Sequence, residues 1–285
     1  MDTPSKSNQS TPTPPDWIDP EVIIVRYGTR QTTKSECYYN FRAYREPDAD
    51  ITMDYFFWIF RNAGQTIVID TGFSPEAAIA RRRQPVIAPA DALARLGIDP
   101  LEVKLLVLTH AHYDHAGNLG LYPNANIVMS RREFEFWGTD MGKRPQYAHH
   151  IDPLDIERIQ ALHRDGRITL LDEPRTTLIP GIELHELGGH TPGQLAVVVE
   201  MPEGPVILAS DAIHYYEELE QDRPFAVLDS LADMYQGYVQ IREWLQRPGA
   251  VAVPGHDPDV MNRFAPVDPG DPSFAVRIGS PGPRV

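Results

Sequence analysis

The sequence is poor in features that mark secreted or membrane-spanning proteins. Its 285 residues include a single cysteine, Cys37, so no disulfide bond can form within the chain, as is typical of proteins from a reducing cytoplasm. The most apolar run, residues 55–60, is far too short to span a bilayer, and residues 1–15 lack the apolar segment of a secretory signal. We therefore expect a cytoplasmic protein without a membrane-spanning segment.

Basic residues are also scarce. The chain has 26 lysines and arginines against 40 aspartates and glutamates, which gives a net charge of −14 at pH 7. A chain of this charge repels phosphate backbones and anionic membranes. We expect neither nucleic acid nor a membrane as a partner.

The chain is long enough for one large domain, because it has 285 residues and 42% of them are hydrophobic. We predict a flexible tail at residues 1–16, a main domain at 17–262 with a helical insertion at 131–165, and an irregular tail at 263–285. Helices are predicted at residues 89–96 and 228–246, and a short one begins at Ser74-Pro75-Glu76. Aliphatic and β-branched runs predict strands at residues 21–26, 37–43, 51–60, 66–69, 105–108, 127–130, 167–171, 183–187, 195–200, 205–209 and 251–254.

One stretch concentrates metal-binding side chains. The predicted buried strand at residues 105–108 is followed at once by His110, His112, Asp114 and His115. Because alternate residues of an extended segment face the same side, His110 and His112 can bind one cation together. Asp114 and His115, beyond the turn, can reach a second cation. The alternative is a polar loop with ordinary surface histidines.

Three later strand ends carry residues of the same kind. His190 lies in a glycine-flanked turn, Asp211 follows the strand at 205–209, and His256 follows the strand at 251–254. Because strand ends at one side of a layered fold converge, we predict a two-metal site. The predicted ligands are His110, His112, Asp114, His115, His190, Asp211 and His256. Five histidines and two carboxylates suit two divalent ions, with zinc expected and cobalt, manganese or iron as alternatives.

Other polar and aromatic residues leave alternatives open. Asp70, at a predicted strand end, either caps a turn or orients a metal-binding histidine. The insertion at 131–165 is either a satellite core or a lid over the metals, and we favour the lid because its aromatic residues follow the metal loop. A lid of this kind predicts a small-molecule substrate with an apolar or aromatic part. His149 and His150 are interpreted as helix-surface residues.

The pattern His110-x-His112-x-Asp114-His115 and its downstream partners resemble the metallo-β-lactamase superfamily, most closely the N-acyl-homoserine lactonase group. The supporting stretches lie at residues 69–72, 189–193, 210–212 and 254–257. The resemblance implies an α+β fold, a four-layer αβ/βα sandwich of two mixed β-sheets flanked by helices. It also leaves a homodimer as an alternative to a monomer.

The resemblance further implies how the metals are held and used. One aspartate would bridge two sets of three ligands: His110, His112 and His190 for the first metal, Asp114, His115 and His256 for the second, and Asp211 for both. A metal-bridging hydroxide would open a lactone or similar cyclic ester, with Asp114 carrying a proton. A bridging aspartate argues against a true β-lactamase.

The chain departs from the lactonases at two positions. Where they usually have a tyrosine that holds the substrate carbonyl, this chain has His214, followed by Tyr215 and Tyr216. Either His214 takes that role, or a neighbouring tyrosine such as Tyr215 does, or the substrate differs. Gln194 also stands where histidine is frequent in this family.

Other functions remain open at this point. The same fold could hydrolyse a thioester, an aryl ester or a cyclic amide, or act as an iron-dependent sulfur dioxygenase. A non-catalytic binding protein is a third alternative, although such proteins tend to lose ligands and this chain has all seven.

Overall fold

Two β-sheets lie face to face in the computed structural model, which describes residues 17–279. The first sheet has the strand order β13-β14-β1-β2-β3-β5-β6-β7, with β4 paired to β1, and the second has the order β12-β11-β10-β9-β8. The strands are β1 (Glu21–Thr33), β2 (Asp50–Asn62), β3 (Gln65–Ile69), β4 (Gln84–Pro85), β5 (Leu105–Val107), β6 (Asn126–Ser130), β7 (Ile168–Leu171), β8 (Arg175–Ile179), β9 (Ile182–Glu186), β10 (Leu195–Met201), β11 (Gly204–Ser210), β12 (Val251–Pro254), β13 (Ala265–Pro266) and β14 (Ala275–Gly279).

Helices cover the outer faces of both sheets. They are α1 (Lys34–Cys37), α2 (Pro75–Ala80), α3 (Pro89–Arg95), α4 (Tyr113–Ala116), α5 (Arg131–Phe136), α6 (Pro145–Ala148), α7 (Pro153–Arg164), α8 (Tyr216–Gln221), α9 (Leu231–Trp244) and α10 (Val260–Arg263), with short 3-10 helices at Phe41–Tyr44 and Leu119–Leu121. No helix within residues 17–279 combines the length and apolar character needed to cross a bilayer.

Both sheets are mixed. In the first, β1, β2 and β3 pair antiparallel, whereas β3, β5, β6 and β7 run parallel. In the second, β8 to β11 pair antiparallel and β12 joins β11 in parallel. Two mixed sheets between helical layers confirm the predicted α+β sandwich.

Strand β2 shows why the fold has four layers. Its side chains alternate: Phe56, Trp58 and Phe60 pack between the two sheets, whereas Tyr55 and Phe57 belong to the cluster under the outer helices. Each of these large buried side chains contributes about 1.5–3 kcal/mol of hydrophobic stabilisation, as an upper estimate. Strand β2 is therefore covered on both of its faces.

The polar residues converge because the strands that precede them run parallel. Asp70 and His110 follow the parallel neighbours β3 and β5, and Asp211 and His256 follow the parallel neighbours β11 and β12. The carboxyl ends of parallel neighbours open at the same edge of a sheet. Both sheets therefore deliver their polar loops to one cleft.

The strand predicted at residues 37–43 is wrong. Thr33 caps α1, its side chain accepting a hydrogen bond from the Glu36 amide, and Asn40 takes a left-handed φ of 49° before the 3-10 helix at Phe41–Tyr44. Tyr38 retains an isolated bridge to Phe225. The helix cap and the left-handed residue prevent an extended strand here, although the residues themselves favour β-structure.

The irregular tail predicted at residues 263–285 is also wrong over its described part. Strand β14 pairs antiparallel with β1 from Glu21↔Gly279 to Val25↔Ala275, and β13 pairs with β14. Burial of Ala275 and Val276 and completion of the β1 hydrogen-bond ladder favour this arrangement. The tail predicted at residues 1–16 lies outside the described residues, as do residues 280–285.

Several short elements were not predicted. Among them, strand β8 (Arg175–Ile179) and helix α8 (Tyr216–Gln221) have no counterpart among the sequence-based expectations. The region predicted as helical at residues 131–165 does contain α5, α6 and α7.

Candidate metal centre

The structure brings all seven predicted ligands together, and all of them are buried. Three of them, His110, His112 and His190, each offer a nitrogen within 4.8 Å of the other two, and we call this group the first half-site. His112 Nδ1 lies 2.9 Å from His190 Nε2. His190 directs Nε2 inward because its Nδ1 donates to the Val227 carbonyl at 2.9 Å.

Burial governs the charge of the first half-site. It lowers the pKa of His110, His112 and His190 well below the ordinary histidine value. The three imidazoles are therefore neutral at pH 7 and present lone pairs, as metal binding requires.

The second half-site consists of Asp114, His115 and His256, whose donor atoms also lie within 4.8 Å of one another. His115 Nδ1 donates to Asp70 Oδ2 at 2.7 Å, and His256 Nδ1 donates to the Asp54 carbonyl at 2.7 Å. Both hydrogen bonds leave Nε2 facing the cluster. Burial opposes charge at His115, but the Asp211 and Asp70 carboxylates hold its pKa well above the ordinary value. The surroundings of His115 therefore favour positive charge.

Asp211 lies between the two half-sites. Its Oδ1 is 3.4 Å from His115 Nε2, and its Oδ2 is 3.4 Å from His190 Nε2 and 3.1 Å from His256 Nε2. Burial alone would raise the pKa of Asp211, but the surrounding histidines hold it well below its ordinary value. A Cβ at Gly255 would lie 2.3 Å from Asp211 Oδ1, so only glycine allows this close approach.

The donor set fits two divalent cations. Among the described residues, His110 Nε2, His115 Nε2 and Asp211 Oδ1 are buried without a hydrogen-bond partner. Buried polar atoms without partners are rare in proteins and indicate a missing ligand. Imidazole nitrogens with carboxylate oxygens suit zinc and similar ions.

Asp70 orients His115, which decides between the two alternatives left open for it. Its carboxylate also accepts hydrogen bonds from the Thr109 amide at 2.8 Å and the Thr109 hydroxyl at 2.7 Å. Its own φ is 62°, a left-handed conformation that costs free energy and is found often at functional sites.

Glu133 is a supporting residue that sequence reasoning missed. It is buried and accepts from the Ala111 amide at 3.0 Å, the Thr191 hydroxyl at 2.6 Å, the Gly193 amide at 3.1 Å and Trp137 Nε1 at 2.7 Å. It thereby joins the loop of His110 and His112 to the turn of His190. The only sequence signal was the Ser130-x-x-Glu133 spacing of a helix start.

Close packing explains the glycine-flanked turn around His190. A Cβ at Gly193 would lie 2.4 Å from the Glu133 amide nitrogen. The glycine is needed so that the turn can pack against α5.

His150 corrects a prediction. It was interpreted as a helix-surface residue, but it is half-buried with its ring 5.4 Å from the His112 ring, and burial lowers its pKa to about 4. His149 is exposed, in agreement with the prediction, although it also contributes to the cavity rim.

The two substrate-holding candidates lie in different places. His214 is buried at the cluster, with Nε2 3.3 Å from Asp211 Oδ2 and its ring stacked 3.6 Å from Phe225. The Tyr215 hydroxyl points elsewhere: it donates to the Thr52 carbonyl at 3.2 Å and lies 3.8 Å from Cys37 Sγ. The geometry supports His214 and leaves Tyr215 without a route to the cluster.

Gln194 also lies apart from the donor atoms. It is buried, and its Nε2 donates to the Leu195 carbonyl at 2.8 Å.

Two cavities adjoin the centre. The smaller cavity has a volume of about 240 Å³ and is lined by residues of the cluster: His112, Asp114, His190, Asp211, His214 and His256. The larger, about 510 Å³, shares His112, His150 and His190 with it and is walled by Trp137 and Tyr147 of the predicted insertion. The segment at 131–165 therefore borders the site.

An αβ/βα sandwich with a two-cation cleft at one sheet edge defines a class of metal-binding proteins. Residues 53–256 match the model of the metallo-beta-lactamase superfamily, and the chain belongs to this superfamily. The predicted family is confirmed.

Similar proteins are lactonases. The chain is 29% identical over 237 residues to the N-acyl homoserine lactonase AttM of Azorhizobium caulinodans, covering 73% of this chain and 83% of the relative. It is 28% identical over 234 residues to AttM of Agrobacterium fabrum, with the same coverage. The solved structure of AidC, a dizinc quorum-quenching lactonase in complex with a homoserine product, has a TM-score of 0.67 at 18% identity and covers 86% of this chain and 90% of AidC. The last likeness supports the fold alone.

Proposed function

We propose that this chain is a dinuclear-metal hydrolase that opens a lactone or similar cyclic ester. The observation that carries the proposal is the position of Asp211 between two complete three-residue half-sites. The lactonase names of its curated relatives support the substrate class.

We assign one metal to each half-site. The first would be held by His110, His112 and His190, the second by Asp114, His115 and His256, and Asp211 would bind both. Zinc is the metal we propose, since imidazoles dominate the donor set and imidazole nitrogens with carboxylate oxygens suit zinc.

The metals would polarise the substrate carbonyl and supply a hydroxide nucleophile at neutral pH. The chain's own groups would do the rest. His214 lines the cavity beside Asp211 and would hold the carbonyl oxygen through a ring N–H. Asp114 also lines the cavity and would carry the proton to the leaving alkoxide.

The larger cavity would accept the apolar or aromatic part of the substrate. Tyr39, Trp137, Pro192 and Leu228 contribute apolar surface to its wall, and it opens directly beside His112.

The test is a substrate panel offered to zinc-loaded protein: γ- and δ-lactones, matched open-chain esters, aryl esters, thioesters and cyclic amides, with metal content measured in parallel. We expect two metals per chain and the highest kcat/KM on a lactone. If a thioester or aryl ester is preferred over every lactone, the proposed substrate class is wrong. If the chain binds one iron and consumes oxygen, the proposed reaction is wrong.

We also propose a cytoplasmic protein, since its one cysteine, Cys37, is buried and free. The homodimer stays a prediction; light scattering of the purified chain decides between one copy and two.

A further inference from the structure

Three arginines enter the wall of the smaller cavity, although the chain as a whole is strongly acidic. They are Arg30 on β1, and Arg81 and Arg83 directly after α2. The net charge of the chain is −14, so a group of arginines at one cavity is a local reversal of sign.

Within residues 17–279, these arginines are not paired with carboxylates. Among the ion pairs within 4.0 Å formed by residues 17–279, none includes Arg30, Arg81 or Arg83. Arg81 donates to the carbonyls of His149 and Ile151, at 2.7 and 2.9 Å, and Arg83 donates to the Tyr113 hydroxyl at 2.8 Å. These neutral acceptors hold the guanidinium groups in place but leave their charge uncompensated.

Arg30 is the least satisfied of the three. Its Nε is buried without a hydrogen-bond partner among the described residues. A buried guanidinium nitrogen without an acceptor costs free energy unless a ligand supplies one. Apart from the aspartates of the metal centre, Glu36 is the acidic residue in this wall, and its carboxylate accepts from the Thr32 hydroxyl at 2.8 Å.

The same wall is partly aromatic. Tyr55 and Tyr113 line it, with the Arg81 guanidinium 4.0 Å above the Tyr113 ring. A cavity of about 240 Å³ accepts a small ring rather than a long chain.

We propose that the substrate is a small lactone that carries an anionic group such as a carboxylate. Arg30 binds this group, and Arg83 lines the same cavity. The inference rests on the proposed function, since the lactone would be opened at the adjoining metal centre. Guanidinium groups recognise planar anions by paired hydrogen bonds, so Arg30 sets specificity and takes no part in bond cleavage.

The experiment compares phthalide with carboxyphthalide, two aromatic lactones that differ in one carboxylate. The zinc-loaded wild type should show a higher kcat/KM on at least one carboxyphthalide isomer than on phthalide. In Arg30→Gln, the ratio of the two kcat/KM values should fall by about 10- to 100-fold, as expected for loss of a hydrogen bond to a charged group. Arg30→Lys, which keeps the charge, should restore part of the ratio.

Arg82→Gln is the matched control. Arg82 lies in the same turn as Arg81 and Arg83, but it is exposed and is not part of the cavity wall. It should leave the ratio at the wild-type value. Metal content and the thermal melting curve of each variant identify any that fail to fold, in which case Arg30→Lys serves as the test.

The outcomes separate this inference from the proposed function. A ratio near one that Arg30→Gln does not change overturns the anion site while lactone hydrolysis stands. If neither lactone is opened, calorimetry with the ring-opened products decides. Tighter binding of 2-(hydroxymethyl)terephthalate than of 2-(hydroxymethyl)benzoate, lost in Arg30→Gln, supports the anion site, and equal binding overturns it.

Discussion

The two half-sites are built on different principles. In the first, imidazoles are made neutral by burial and are supported through the backbone, by the Val227 carbonyl behind His190 and by Glu133 across two loops. In the second, the Asp54 carbonyl supports His256 in the same way, but a carboxylate, Asp70, stands directly behind His115. A carboxylate behind a metal-binding histidine raises its basicity, so the second half-site should hold its cation through charge and the first through geometry.

Replacement of the shared residue should have the largest effect. Asp211→Ala removes the oxygens that lie beside both half-sites, so we expect fewer than two metals per chain and a fall in kcat/KM of at least about 100-fold. Asp140→Ala, at an exposed aspartate, is the control. Full activity with two metals in Asp211→Ala would refute the dinuclear proposal.

His214 lies beside Asp211 and beside His190 of the first half-site. Replacing His214 therefore tests whether a residue next to the first half-site also orients the substrate. We expect His214→Ala to lower kcat about 10²- to 10³-fold while two metals stay bound. His214→Tyr should retain more activity than His214→Ala. Metal loss in step with activity would instead make His214 a ligand.

Asp70→Asn should weaken the second half-site more than the first. An asparagine cannot accept every hydrogen bond that Asp70 accepts from His115 and Thr109, and loss of such support costs about 10- to 100-fold in metal affinity. The variant is titrated with a chelator and its metal content is measured. One metal should be lost at a lower chelator concentration than in the wild type, and the other close to the wild-type concentration. Equal loss of both metals would contradict the difference between the half-sites.

Glu133→Gln is the counterpart for the first half-site. The NH2 group of glutamine would face N–H and O–H donors that now point at a carboxylate oxygen. The free energy of unfolding should therefore fall by roughly 1–3 kcal/mol. In the same chelator titration, the metal that leaves early should now be the one held by His110, His112 and His190. Ser130 contacts the same turn, so Ser130→Ala, which removes a neighbouring hydroxyl, is the comparison variant.

The smallest effect concerns a buried carboxylate outside both half-sites. Burial, together with the nearby Asp152 carboxylate, raises the pKa of Asp155 to about 6, and its Oδ2 has no hydrogen-bond partner among the described residues. A raised folded-state pKa means that stability is lost as pH rises from about 4 to about 6. Asp155→Asn should remove this loss and stabilise the protein at pH 7.5 by roughly 1–2 kcal/mol, allowing for partial solvent screening.

Urea unfolding of both proteins at pH 4 and pH 7.5 measures that difference. Asp140→Asn, at an exposed position, should show no such pH dependence. An Asp155→Asn variant less stable than wild type at pH 7.5 would mean that the carboxylate is stabilising.

The sequence by itself determined the donors and the strands that carry them. Strand periodicity is local, so β2, β3, β5 and the ends of β11 and β12 could be predicted from neighbouring residues. The resemblance then pointed to the same seven residues, and the structure brings them together in one buried cluster.

Tertiary structure alone decided what stands behind the donors. His115 and Asp70 are 45 positions apart, and His112 and His190 are 78 apart, so no local pattern reports their contact. The four donors that meet Glu133, the half-buried ring of His150, the pairing of β14 with β1 and the unpaired Arg30 all depend on long-range packing. Local propensity specifies a residue's conformation, but its partners are set by which distant surfaces burial brings together.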